Sequence, residues 1–90
     1  MKDEWKIAEE QIQANLKKES KRADEKFGGF HSSHEGLGVL LEEFDELKAA
    51  IHENHAVHTY HEAIQVASVA LRLARSICDE DCRERSGMEQ

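Results

Sequence analysis

Ninety residues with 19 acidic and 12 basic side chains, a formal charge of −7, no proline and two cysteines describe one small domain with little to interrupt helices. The acidic balance argues against a nucleic-acid partner, which needs a basic footprint, and no run approaches the roughly 18 apolar residues of a membrane span. Cys78 and Cys82 cannot frame a disulfide scaffold, and with no secretory leader in the opening residues they point to the cytoplasm.

A chain this short buries only about 60–65% of its extended surface, so a lone monomer is marginal and self-association is the commoner remedy. The first element is expected over about 3–26. Trp5, Ala8, Ile12, Leu16 and Ala23 recur at i+3 and i+4 spacing, a thin apolar stripe in a charged helix. Acidic residues crowd its first turns and lysines its last, which complements the helix dipole. Phe27-Gly-Gly-Phe30 then breaks it, with Gly28 or Gly29 suited to the left-handed position after a helix end.

Ser32-Ser33-His34-Glu35 is a capping box that starts a second helix, about Ser33 to His52. Leu37, Leu40, Leu41, Phe44, Leu47 and Ile51 form its apolar stripe. Glu42 and Asp45 lie off that stripe and read as solvated. Glu43 and Glu46 instead border the apolar face, one turn apart, next to the Gly36/Val39/Ala50 edge. A histidine-rich connection over 53–59 follows. The third helix, about Tyr60 to Ile77, is apolar or small nearly all round from Ile64 to Leu73, as expected of a central helix. Glu62 and Gln65 stand at its head, i and i+3, and a buried glutamate there needs a partner.

The fold class is therefore all-α: a small bundle of three to four helices, one domain over 1–90, completed by homo-oligomerisation into a dimer or tetramer. Residues 78–90 are expected to be a frayed or disordered tail.

Glutamates i and i+3 on a helix lie about 5–6 Å apart and can converge on one cation; an antiparallel third helix would bring Glu62 and Gln65 to face them. Such an all-oxygen donor set suits Mg²⁺ or Mn²⁺. The spacing alone equally allows Glu43 and Glu46 to be solvated partners of Lys48 or the first helix.

Leu40-Leu41-Glu42-Glu43-Phe44-Asp45-Glu46-Leu47, followed by Glu62-Ala63-Ile64-Gln65-Val66-Ala67, resembles the MazG-like all-α nucleoside triphosphate pyrophosphohydrolases, whose signature is E-x-x-E on one helix and E-x-x-D on the next. The match departs at Gln65, where an aspartate is expected. His34-Glu35-Gly36 and the E-A-x-Q-x-A pattern are similar to a phage and bacterial branch described as dATP/dGTP pyrophosphohydrolase-like. The resemblance implies Mg²⁺-dependent attack of water on the α-phosphorus of a nucleoside triphosphate, purine deoxynucleotides in particular, giving monophosphate and pyrophosphate. Glu43, Glu46 and Glu62 would hold metal, and Gln65 would complete the catalytic set as a neutral amide.

For the substrate, Lys26, Arg72 and Arg75 are candidates to grip phosphates, Phe30 to face a base, and His34 to stand beside them within the matched motif. His58 with Glu62 and His61 with Gln65 are i, i+4 pairs, which allows one of these histidines to stand behind the metal ligands. A second class stays open: a helical nucleotide-binding or interaction module that kept the fold and lost catalysis through Gln65.

Overall fold

The structure, a computed structural model, describes the backbone of residues 2–89 and the side chains of residues 6–78. It is an all-α bundle of three helices: α1 (Lys2–Phe27), α2 (Ser33–His52) and α3 (Ala56–Glu89). Helix α3 is central, packed against both others, whereas α1 and α2 splay apart from their shared turn. Helices α1 and α3 run parallel. Asn15 Nδ2 donates to Tyr60 Oη at 2.7 Å near one end, and Arg72 Nε donates to Asp24 Oδ1 at 2.9 Å further along. Helix α2 is antiparallel to them, with Gly36 against Leu73 at one end and Glu43 and Glu46 opposite Glu62 towards the other.

The helix ends follow local chemistry. Gly28 takes φ +75° just past α1, a conformation that costs glycine least, and its N–H donates to the Asp24 carbonyl at 2.8 Å. Ser32 is the N-cap of α2, its hydroxyl accepting from the Glu35 N–H at 3.1 Å. The connection after α2 is far shorter than 53–59. Asn54 adopts φ 57°, which asparagine tolerates, and His55 Nδ1 accepts from the His58 N–H at 3.0 Å as an N-cap side chain does. That cap lets α3 begin at Ala56 rather than Tyr60. At its other end α3 runs to Glu89. Cys78 is exposed; the side chains of Cys82 and Trp5 lie outside the described residues.

The core is small. Ala23, Ala50, Ile64 and Val69 are its buried apolar residues among those described, joined by Ser20, Ser68 and Arg72. Gly36 sets the closest approach: a Cβ there would stand 2.7 Å from Leu73 Cδ1 and 3.3 Å from Phe30 Cδ2.

The expected burial of α2 needs correcting. Its packed face runs along Gly36, Val39, Glu43, Leu47 and Ala50, while Leu37, Leu41, Phe44 and Ile51 are exposed. Small residues at 36 and 50 face the seam, Gly36 against the Leu73 and Phe30 side chains, and the bulky stripe points outward. A carboxylate consequently sits in the helix–helix seam.

Candidate metal centre and adjoining cavity

Glu43 and Glu46 lie one turn apart on α2, and Glu62 faces them from the second turn of α3. Each offers a carboxylate oxygen, and these oxygens lie within 4.8 Å of one another. Glu46 is exposed; Glu43 and Glu62 are half-buried. Glu43 Oε2 and Glu62 Oε2 are buried with no hydrogen-bond partner. Acceptor oxygens withdrawn from water and left unpaired are costly. Desolvation in the seam, then the charges of Glu46 and Glu62, push the Glu43 carboxyl up to about 6. Glu42, read from the sequence as merely solvated, adds a smaller share of that repulsion.

Beside this trio a cavity of about 680 Å³ opens where α1 and α2 diverge over α3. Its volume falls in the range of roughly 300–1,000 Å³ usual for small-molecule sites. Phe27, Phe30, Val39 and Val69 give it apolar wall, and Glu43 joins it to the acidic trio. Arg22, His31, Gln65, Ser68 and Arg72 supply polar groups.

The expected site residues divide. Glu43, Glu46 and Glu62 converge. Gln65 lines the cavity together with Glu43 and stands beside Glu19 of α1. Glu19 is held below the usual carboxylate range, chiefly by its hydrogen bond with Arg22 and in lesser part by Gln65 and Arg72. Phe30 lines the cavity, but one face is covered by the Arg72 guanidinium, 4.7 Å from its ring centroid. Arg72 is only 6% exposed and already engaged. Besides Asp24 it donates through Nη2 to the Gly28 carbonyl at 2.9 Å, while Arg75 takes the second Asp24 oxygen at 2.7 Å. Its first role is therefore to tie α3 to the end of α1. Lys26 lies over the Phe27 ring, 5.2 Å from its centroid, and neither Lys26 nor the exposed His34 forms part of the cavity wall.

Sequence reasoning missed Arg22 and Ser68 as lining residues. Only the divergence of α1 from α2 puts both on one cavity. No helix among the described residues is long and apolar enough to cross a membrane. In comparisons with known proteins, no family model, no curated protein and no solved structure matches the chain.

Proposed function

We propose that the chain is a metal-dependent nucleoside triphosphate pyrophosphohydrolase of the MazG-like kind, cleaving the α–β bond to release pyrophosphate, with purine deoxynucleotides as its preferred substrates. The observation that carries the reading is the convergence of Glu43, Glu46 and Glu62 from two helices beside a cavity of nucleoside size. The donor set fits Mg²⁺ or Mn²⁺: all oxygen, with two oxygens buried and unpaired as a cation would need them. Glu43, Glu46 and Glu62 would hold a divalent ion, which would supply charge neutralisation for the triphosphate and activation of water.

The chain's own groups do the rest. Glu43, Glu46 and Glu62 repel one another without a cation, so their charge favours whatever brings positive charge between them. The walls built from Val39, Val69 and Phe30 take up the nucleoside and keep water from it, and Gln65 and Ser68 offer it hydrogen bonds. Arg72 fixes Phe30 and the Gly28 turn, holding the rim in shape. Arg22, on the same wall, is the basic group left closest in character to a phosphate grip, once its bond with Glu19 is shared. A homodimer or homotetramer formed through the exposed face of α2, working in the cytoplasm where nucleoside triphosphates are found, completes the proposal.

A second reading has one observation in its favour. Gln65 is neutral and stands beside Glu19, which suits a nucleotide-binding module without catalysis. Incubation with Mg²⁺ and a panel of nucleoside triphosphates, with ³¹P NMR of the products, separates the two. Pyrophosphate with monophosphate is the expected result. Orthophosphate would contradict the mechanism, and saturable binding without turnover would leave the module.

A further inference from the structure

We infer that His58 is a positioning residue for Glu62: its imidazole engages one carboxylate oxygen and leaves the other uncommitted for a cation. The inference rests on the acidic trio being the metal centre proposed above. His58 and Glu62 stand at i and i+4 on α3, and His58 Nε2 lies 3.3 Å from Glu62 Oε1. Glu62 Oε2 is buried and has no partner. One carboxylate thus has one oxygen within ion-pair distance of the ring and one with no hydrogen-bond partner, which is how an oriented ligand differs from a swivelling one.

Glu53 faces the ring from the opposite side. His58 Nδ1 lies 3.8 Å from Oε2 of Glu53, the residue that ends α2. The His55 ring packs edge-on against it, centroids 5.9 Å apart, and the His58 N–H is taken by His55 Nδ1. The imidazole thus stands between the end of α2 and Glu62, the path by which this short connection reaches the trio. The contact needs only a proton on Nε2, which the charged ring and one neutral tautomer both carry.

The test reads metal binding directly, with Mn²⁺ alone as probe and the electron paramagnetic resonance signal of free Mn²⁺ as readout. His58→Ala should weaken Mn²⁺ binding about tenfold or more. Its melting temperature in chelator should stay that of the wild type, because the ring is half exposed. His58→Gln should recover most of the affinity, since an amide N–H at i, i+4 reaches the same oxygen. His61→Ala, three residues along the helix, should bind as the wild type does. Equal affinity in wild type and His58→Ala would overturn the inference while leaving the metal centre standing, as would a His58→Gln variant no better than alanine. A wild type that fails to bind Mn²⁺ would overturn the metal centre itself and the positioning role with it.

Discussion

Glu43 concentrates the chemistry of this chain in one side chain. Its carboxyl is raised from 4.5 to about 6 because the α2–α3 seam removes water from it and Glu46 and Glu62 crowd it with like charge. The folded state therefore holds the proton more tightly than the unfolded chain. Below about pH 4.5 both states are protonated and nothing is lost; between about 4.5 and 6 the unfolded chain ionises first, and stability falls as pH rises. Allowing for partial solvent screening, the loss is of order 1 kcal/mol. Urea titrations in chelator at pH 4.5 and pH 7 should show that decline in the wild type and a smaller one in Glu43→Gln. An identical decline in both would show that Glu43 carries no such burden.

Arg72 makes the opposite case, a charge fully committed. Arg72→Lys keeps the charge but cannot span Asp24 and the Gly28 carbonyl together, so it should still destabilise by about 1–2 kcal/mol in the same titration. The acidic trio was legible in the sequence because i, i+3 spacing on one helix and a glutamate heading the next are local patterns. Arg72's engagement was not, because its partners lie 48 and 44 residues away.

At the scale of elements, the three helices and most of their ends could be read directly. Ser32 with Glu35, and Gly28 after Phe27, are local signals with local causes, and both act where expected. The start of α3 could not be read, because a histidine N-cap beside a left-handed asparagine is a rare combination. The buried face of α2 was misjudged for a different reason. Hydrophobic periodicity finds the bulkiest stripe, but α2 packs on the face of Gly36 and Ala50 and leaves Leu41 and Phe44 exposed. Gly36→Ala tests this. Its Cβ would press on Leu73 Cδ1 at 2.7 Å, the tip of a flexible side chain that can shift, so the cost falls at the low end of overpacking, about 1 kcal/mol. Thermal melts should show that loss, and Leu73→Ala in the same chain should recover part of it. A Gly36→Ala variant as stable as the wild type would show that the seam is looser than described.

The whole molecule is too open for its length. Its radius of gyration is 15.9 Å, against about 12 Å for a compact domain of 90 residues. Its accessible surface is 7241 Å², where a compact chain of this mass exposes roughly 5,400 Å². The length of α3 accounts for part of the excess. The exposed Leu37, Leu41, Phe44 and Ile51 on one face of α2 account for another part, and a second copy covering them would close it. Sedimentation equilibrium at micromolar concentration should give twice the chain mass or more, and Leu41→Glu with Phe44→Asp should shift it towards monomer. A stable monomeric wild type would contradict this.

The most direct test of the central claim needs no substrate. If Glu43, Glu46 and Glu62 share a cation, Mg²⁺ should raise the melting temperature of the wild type. The gain follows RT ln(1 + [L]/Kd), about 2.7 kcal/mol at a hundredfold excess over Kd. Glu43→Gln and Glu46→Gln should be as stable as the wild type or more so in chelator, and should lose the Mg²⁺ response. Asp45→Asn, which lies off that face, should keep it. Melting curves of these four proteins with and without Mg²⁺ decide the matter. A wild type whose melting temperature does not move with Mg²⁺, even in the presence of nucleoside triphosphate, would mean that these carboxylates do not form a metal centre.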